Sequence, residues 1–405
     1  MRWGKPGTVR PARASRLART LRQHREWRVL VAAVLVLTAM AGTVGWTLEK
    51  GQVPLTGPPP GTTAWRADRV SGMPLPDPVR DPPSTATEFF ASLSEAKARA
   101  LARRHPGVVG NLDGAPVSLR YEANARALRL GYSEQRARSV DPAVPPADRA
   151  RARELAARYS ALLTPGRQIL AFDPRGRGQL AEVHGDLGRA RHVSVIVPGS
   201  DNDLSTFDRS RDAYSTPSGM ARSLHRAAGD DIAVIAWVGY TTPTGLGPDA
   251  ATARLAAAGA PRLNRFVTAL PTVDGAPRPV VFCHSYGSVV CGLAASGLAA
   301  SELVVLGSPG LRASSVADLR TRARVWAARD DSDWIRKVPN VEFLGLGHGR
   351  DPVDPAFGAL RVPTGQVKGH TGYFAPHTES LRAFAEIATG SGTVAGHPPA
   401  DGEAR

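Results

Sequence analysis

Residues 280–288 are Val280-Val281-Phe282-Cys283-His284-Ser285-Tyr286-Gly287-Ser288, and they give the clearest indication of the fold. It begins with apolar residues typical of a buried strand and continues into small residues that favour a helix. Ser285 lies at the turn between them. Strand and helix nearly touch at such a turn, so bulky residues two positions away would clash. Gly287 meets this requirement, whereas Cys283 stands where a glycine is usual. The stretch therefore predicts a nucleophile elbow with Ser285 as the attacking group.

The segments around this elbow alternate between apolar strands and helices. Strands are predicted at 168–172, 179–183, 192–197, 232–237, 279–283, 303–306, 325–328 and 341–344. Helices are predicted at 85–105, 146–163, 218–228, 250–270, 288–298, 315–321 and 378–389. Continuously apolar strands that alternate with helices indicate a parallel sheet covered on both faces. We expect an α/β fold with a mostly parallel, doubly wound sheet and a helical N-terminal extension.

The N-terminal part of the chain has the pattern of an export signal. Residues 1–28 hold nine basic residues and one acidic residue, and residues 29–48 are uncharged and mostly apolar. That length can cross a bilayer, and the basic flank places the N-terminus in the cytoplasm. We favour a retained transmembrane anchor, with a signal peptide cleaved near Ala41 as the alternative. In either case the rest of the protein is exported.

The remaining chain divides into three parts. Residues 49–84 are rich in Pro and Gly and are predicted to be an extended linker. Residues 85–390 are predicted to form the catalytic domain, and residues 391–405 a disordered tail.

A serine hydroxyl needs a neighbouring base before it can attack. In the fold predicted here, the acid and the histidine follow the serine in the order Ser, Asp, His. His370 lies in a glycine-flanked loop just before the last predicted helix, and we assign it as the base. His348, also between glycines, is the alternative, whereas His284 adjoins Ser285 and should point away from its Oγ.

The acid is expected just beyond the predicted strand 325–328, where it could orient the imidazole and stabilise its charged form. Asp330, Asp331 and Asp333 all lie there. We prefer Asp333 because the apolar pair Trp334-Ile335 follows it, as is common for the acids of such hydrolases. The other two stay alternatives. More distant candidates are Asp351 and Asp354.

An oxyanion needs preorganised N–H donors. One is expected from the backbone of Tyr286, directly after the nucleophile. The second is expected from the loop 199–202, which follows the strand 192–197, and we assign it to Ser200.

Composition argues against other classes of site. The net charge is +15, but aromatic residues make up 6% and do not interleave with a basic cluster, so no nucleic-acid partner is expected. No metal or phosphate-loop motif occurs, and we predict neither a metal nor a cofactor. Two cysteines are too few for a disulfide framework. We expect Cys283 and Cys291 to be buried thiols, with a bridge between them as the other possibility.

An ordered set of motifs resembles the actinobacterial α/β-hydrolase domain family of unknown function. These motifs are 110–116 with Arg120 and Ala123-Asn124, then 195–199, 236–240, 284–288, 306–310, 348–352 with 357–359, and 369–374. Together they span about residues 85–390 in order. The resemblance implies the hydrolase fold and a Ser/Asp/His triad, but no substrate. The sequence departs from that family at Cys283, where glycine is usual.

These features predict an extracytoplasmic serine hydrolase of the esterase or lipase type, monomeric, which cleaves a small-molecule or lipid ester through an acyl-enzyme on Ser285. The alternative is a catalytically silent hydrolase fold that serves as a binding module of the cell envelope. Cys283 and the ambiguous acid favour that alternative. A peptidase on the same fold would be separated only by substrate profiling.

Overall fold

The strand Val280–His284, which leads into Ser285, lies inside an eight-stranded sheet. The structure is a computed structural model that describes residue 1, residues 51–270 and residues 276–391. Its strands in chain order are β1 (Arg69–Val70), β2 (Met73–Pro74), β3 (Gln168–Asp173), β4 (Gln179–His184), β5 (His192–Val197), β6 (Ile232–Val238), β7 (Val280–His284), β8 (Glu302–Leu306), β9 (Arg324–Ala328), β10 (Glu342–Phe343), β11 (Leu346–Gly347) and β12 (Leu360–Arg361).

The α-helices precede, cover and follow the sheet. They are α1 (Thr62–Ala67), α2 (Pro83–Ala91), α3 (Glu95–Arg104), α4 (Pro106–Val109), α5 (Val117–Val140), α6 (Pro146–Leu162), α7 (Pro217–Ala228), α8 (Pro248–Ala251), α9 (Arg254–Thr268), α10 (Gly287–Ala294) and α11 (Glu379–Thr389).

The large sheet has the order β12-β9-β8-β7-β5-β6-β4-β3. Six neighbouring strands of this sheet run parallel to one another, namely β12, β9, β8, β7, β5 and β6. Strand β4 is antiparallel to both β6 and β3. The predicted mostly parallel sheet is confirmed, and β3 and β4 form an antiparallel hairpin at its end. Because the parallel strands end at one edge, the loops after β5, β7, β8 and β9 meet there, and that edge carries the functional residues.

Each face of the sheet is buried under helices. On one face, Val195 and Val281 pack with α9 and α10. On the other face, Ile196 and Phe282 pack with α7 and α11. Strands that are apolar on both sides therefore lie between two helical layers, as the unbroken apolar runs predict.

Side chains of the N-terminal helices cover the outer edge of β3. Asn111 bonds both backbone groups of Phe172: its Nδ2 donates to the carbonyl at 2.7 Å, and its Oδ1 accepts from the N–H at 3.1 Å. The side chains of Arg120 and Asn124 in α5 donate to the carbonyls of Leu170 and Ile169 in the same strand. The polar residues of the first motif therefore bond backbone groups that an edge strand would otherwise leave unpaired.

Residues 52–84 differ from the extended linker predicted for them. They contain α1 and the β1–β2 hairpin, and Trp65 is fully buried in a cluster with Phe90 and Leu101. The Trp65 indole N–H also donates to the Pro76 carbonyl at 2.7 Å. Prolines and glycines in this segment shape turns around a packed tryptophan, so the folded unit begins before residue 85.

Several element boundaries also differ from the prediction. The helix predicted at 85–105 is broken into α2 and α3, and the 24-residue helix α5 was not predicted. The helix predicted at 315–321 is reduced to a 3₁₀ turn at Ala317–Leu319. The strand predicted at 341–344 contributes to a separate hairpin of β10 and β11 rather than to the large sheet.

Within residues 51–270 and 276–391, no helix is long and apolar enough to cross a bilayer. The predicted basic region 1–28 (apart from Met1), the predicted anchor 29–48 and the predicted tail beyond residue 391 lie outside the described residues.

Candidate active site

Ser285 occupies a strained turn between β7 and α10. Its φ is 54°, in the left-handed region that residues with a side chain rarely adopt, and the residue is half-buried. The turn is fixed by the Ser285 N–H, which donates to the Leu306 carbonyl at 3.0 Å. A methyl group at Gly287 would lie 2.4 Å from the Val197 carbonyl oxygen, so this position needs glycine for close packing. These features are those of a nucleophile elbow.

Cys283 and Cys291 form a disulfide, so the expectation of free buried thiols is wrong. The two residues are fully buried, with their Cα atoms 6.5 Å apart. Cys283 lies in β7 and Cys291 lies in α10. The bond therefore ties together the strand and the helix that flank Ser285, and it accounts for a cysteine at the position where glycine is usual.

Asp333 and His370 are in direct contact. The His370 Nδ1 lies 2.9 Å from an Asp333 carboxylate oxygen, and Asp333 is fully buried. The carboxylate also accepts the Tyr373 hydroxyl at 2.6 Å and the Ile335 N–H at 2.9 Å. Burial raises the pKa of the Asp333 carboxyl, but the hydrogen bonds outweigh this effect and hold the pKa below its usual range. An ionised carboxylate is thus aimed at the ring nitrogen that must carry a proton if the other nitrogen is to act as a base.

The other candidate acids do not contact His370. Asp331 is fully exposed, and Asp330 accepts hydrogen bonds from the backbone and hydroxyl of Ser332. Asp351 pairs with Arg329, and Asp354 caps a 3₁₀ turn through the Ala356 N–H. Among the five candidate acids, the structure brings only Asp333 to the histidine.

The His370 loop lies beside the elbow. The His284 Nε2–H donates to the His370 carbonyl at 2.7 Å, and the two ring centroids are 4.7 Å apart. A methyl group at Gly307 would lie 3.1 Å from His370 ring atoms, and Gly307 follows the residue whose carbonyl holds the Ser285 N–H. The structure gives no hydrogen bond between Ser285 Oγ and His370. Such contacts are often long before substrate binds, so their absence here does not argue against His370 as the base for Ser285.

The two alternative histidines have other partners. His284 is buried beneath the His370 loop, and burial together with the neighbouring His370 lowers its pKa to about 3. His348 donates from Nε2 to the Ala250 carbonyl at 2.8 Å, and burial lowers its pKa. Neither contacts a carboxylate in the described part of the chain, so neither is oriented as a base.

The predicted oxyanion loop packs directly on the nucleophile. A methyl group at Gly199 would lie 2.9 Å from Ser285 Oγ and 3.0 Å from the Tyr286 nitrogen. Within residues 51–270 and 276–391, the N–H groups of Ser200 and Tyr286 donate to no other group. Asn202 holds the loop by donating to the Ser200 carbonyl at 2.9 Å. Both N–H groups are therefore available to donate to an oxyanion, as the prediction requires.

Sequence reasoning missed two side chains of the site. The Tyr373 hydroxyl supports the acid, although the residue belongs to a motif already singled out around His370. The Trp334 ring lies 4.6 Å from the His370 ring and is about one-third exposed. Its position directly after Asp333 was the available signal. Two surface grooves have volumes of about 420 and 510 Å³. The first is lined by residues that include His377, shortly after His370 in the chain, and the second by residues that include Arg104. Neither lining includes Ser285, Asp333 or His370.

Residues 173–343 match the family model described as alpha/beta hydrolase. The chain contains an α/β-hydrolase domain. The match includes Ser285 and Asp333, and His370 follows it. The resemblance seen in the motifs is thereby confirmed.

Proteins similar to this chain occur in mycobacteria. An uncharacterized protein of Mycobacterium tuberculosis is 28% identical over 402 residues, which is 85% of this chain and 58% of that protein. The chain therefore spans 58% of the length of these curated relatives. An uncharacterized protein of Mycobacterium bovis is 33% identical over 167 residues, 38% of this chain and 62% of that protein.

Two solved structures have partial likeness to the chain. The crystal structure of the 2,6-dihydroxy-pseudo-oxynicotine hydrolase has a TM-score of 0.36 and 13% identity, and the match covers 83% of this chain and 95% of that one. The crystal structure of esterase PE8 has a TM-score of 0.31 and 14% identity, and the match covers 51% of this chain and 95% of that one.

Proposed function

We propose that this chain is a serine hydrolase that cleaves a carboxylic ester through an acyl-enzyme on Ser285. The observation that carries the proposal is the buried Asp333 carboxylate bonded to His370 Nδ1, beside a serine in a nucleophile elbow. Ester hydrolysis by a serine requires an oriented base and donors for the oxyanion, and the residues present supply both.

The chemistry follows from these positions. His370 Nε2 takes the proton from Ser285 as Oγ forms a bond to the ester carbonyl carbon. The N–H groups of Tyr286 and Ser200 donate hydrogen bonds to the carbonyl oxygen and stabilise its negative charge. When the intermediate collapses, the ester C–O bond breaks and the protonated His370 gives its proton to the departing alcohol. A water molecule then repeats the sequence on the acyl-enzyme and releases the carboxylic acid.

We also propose that the domain acts outside the cytoplasm. The basic residues before the apolar segment 29–48 favour an N-terminus in the cytoplasm and a domain on the other side of the membrane. The Cys283–Cys291 disulfide supports it as well, because such bonds persist mainly in oxidising compartments.

The test is covalent labelling with a fluorophosphonate probe, which reacts with activated serines. We expect labelling of the wild-type chain, unchanged labelling of Ser160→Ala, and none of Ser285→Ala. Ser160 is an exposed serine on α6 and serves as the matched control. Hydrolysis of p-nitrophenyl esters should follow the same pattern. A folded wild-type chain that neither labels nor hydrolyses would favour the silent binding module instead.

A further inference from the structure

The loop after β5 is held by two buried side chains that bond its carbonyl groups. The Tyr240 hydroxyl donates to the Pro198 carbonyl at 2.7 Å. The side-chain amide of Asn202 donates to the carbonyls of Gly199 and Ser200, at 3.3 and 2.9 Å. Three successive carbonyls of the loop therefore face donors inside the protein.

The bond to the Gly199 carbonyl also fixes the direction of the next N–H group. The peptide that joins Gly199 and Ser200 is trans. In a trans peptide the C=O and N–H groups lie in one plane and point in opposite directions. Because Asn202 lies on the carbonyl side, the Ser200 N–H faces away from it, and it bonds no group among the described residues. That N–H is the predicted second oxyanion donor.

This peptide needs to be held because Gly199 gives it rotational freedom. A methyl group at Gly199 would lie 2.5 Å from Ser285 Cβ, so packing against the nucleophile requires glycine there. Glycine adopts more backbone conformations than any other residue, so the peptide after it can rotate at little steric cost. A rotated peptide would turn the Ser200 N–H out of its present direction. The amide of Asn202 opposes that rotation.

Asn202 is itself anchored to the loop that follows β6. It is 6% exposed, and its carbonyl accepts the hydroxyl of the buried Thr242 at 2.7 Å. The preceding residue, Asp201, adds two bonds to that loop. Its N–H donates to the Pro243 carbonyl at 2.8 Å, and its carboxylate accepts the Gly245 N–H at 2.8 Å. The side chain that holds the peptide is therefore in place before any substrate binds.

We propose that Asn202 is a positioning residue for ester hydrolysis, which fixes the Ser200 N–H as an oxyanion donor. The proposal rests on the proposed function, because the attack by Ser285 generates the oxyanion. A donor that is already oriented needs no reorganisation as charge develops, and this preorganisation is usually the largest contribution to such catalysis. Asn202 acts through the peptide between Gly199 and Ser200 and does not contact the substrate.

The test compares variants of the full chain in the hydrolysis of p-nitrophenyl butyrate. Asn202→Ala removes both amide bonds to the loop. Asn202→Asp keeps the size of the side chain but replaces the donating NH2 group with oxygen. The control is Thr242→Val, which removes a buried hydrogen bond to the same loop but leaves both bonds of the Asn202 amide in place. Thermal unfolding shows that each variant is folded.

We expect Asn202→Ala to lower kcat by about 10- to 100-fold. This is less than the 10²- to 10³-fold typical of losing an oxyanion donor outright, because the N–H is still present and adopts the required direction for part of the time. KM should change by less than about twofold, since the interaction forms mainly in the transition state. Asn202→Asp should lose at least as much. Thr242→Val should keep the wild-type kcat, although it too loses a buried hydrogen bond.

A trifluoromethyl ketone inhibitor supplies a readout that a purely structural role would not move. Ser285 Oγ bonds to its carbonyl carbon, His370 takes the hydroxyl proton, and the carbonyl oxygen becomes negatively charged, as in the transition state. The affinity of Asn202→Ala for this inhibitor should fall by the same factor as kcat/KM. An unchanged affinity would overturn the proposal.

Equal losses of kcat in Asn202→Ala and Thr242→Val would also overturn it, because Asn202 would then only stabilise the loop. A wild-type kcat in a folded Asn202→Asp variant would show that the donating group is dispensable, and this variant decides the question if Asn202→Ala does not fold. An active wild-type chain with an equally active Asn202→Ala variant would overturn this inference alone. A wild-type chain that neither hydrolyses the ester nor labels at Ser285 would overturn the proposed function, and this inference with it.

Discussion

Gly199 is the position where one methyl group should abolish most of the activity. In Gly199→Ala, the new Cβ would lie 2.5 Å from Ser285 Cβ, 2.9 Å from Oγ and 3.0 Å from the Tyr286 nitrogen. Carbon atoms in contact normally lie about 3.5 to 4.0 Å apart, so loop and elbow must separate by about 1 Å. Rotation of the Ser285 hydroxyl cannot relieve the contacts with Ser285 Cβ and the Tyr286 nitrogen, which are fixed by the backbone of the elbow. The movement therefore displaces both the nucleophile and the predicted oxyanion donors.

A displacement of this size costs about a hundredfold in rate, and loss of one oxyanion donor costs about 10²- to 10³-fold. We therefore expect kcat to fall by about 10²- to 10³-fold, with about 1 to 3 kcal/mol lost from the free energy of unfolding. The assay is hydrolysis of a short-chain p-nitrophenyl ester, with thermal unfolding to show that the variant is folded.

The matched control is Gly247→Ala. Gly247 has a φ of −73°, and a methyl group there would meet nothing within 4 Å. This variant should keep the wild-type kcat and stability. A folded Gly199→Ala variant with the wild-type kcat would refute the assignment of the 199–200 loop to the oxyanion hole.

Three further predictions concern the neighbouring groups. Asp333→Asn should lower kcat by roughly a thousandfold or more, because the amide no longer enforces the required His370 tautomer. The control Asp331→Asn changes a fully exposed carboxylate and should leave kcat unchanged. Equal effects of the two substitutions on kcat would contradict the triad. Cys291→Ala should lower the free energy of unfolding by about 2 to 3 kcal/mol in urea titrations. The wild-type chain treated with a reductant should lose the same amount. A urea midpoint of the wild type that does not change with reductant would argue against the disulfide. The pKa of His284 is lowered from 6.5 to about 3, so the unfolded chain binds a proton there that the folded chain does not. Stability should therefore fall as pH drops from about 6.5 to about 3, by up to about 1.4 kcal/mol per pH unit from this group, and urea unfolding of His284→Gln should show a smaller slope; an unchanged slope would contradict it.

The site was accessible to sequence reasoning because its signals are local. A strand, a serine and small residues within nine positions predict the elbow, and the structure has Ser285 at a positive φ there. The preference for Asp333 over its neighbours came from the apolar pair that follows it. The structure gives a physical reason: the Ile335 N–H bonds the carboxylate, and Trp334 packs against His370.

Features that depend on distant partners were not predictable in the same way. The sequence of helix α5 lacks a clear apolar stripe because its buried face includes two polar residues, Arg120 and Asn124. Both side chains bond backbone groups at the edge of β3. The segment 52–84 looks like a spacer until the burial of Trp65 is known. Two cysteines eight residues apart give no Cα separation, so the choice between thiols and a bridge depended on the turn geometry at Ser285.

The covered edge of β3 bears on how copies of this protein can meet. An outer strand with free backbone groups is a template on which another chain can add a strand, and it is a common route to aggregation. Here Asn111 and its partners on α5 already satisfy carbonyls of residues 169, 170 and 172. The opposite edge is β12, only two residues long. Neither edge of the sheet offers a long row of unpaired backbone groups to which another strand could bond. Molecules crowded together on a surface would therefore be protected from joining through their sheets.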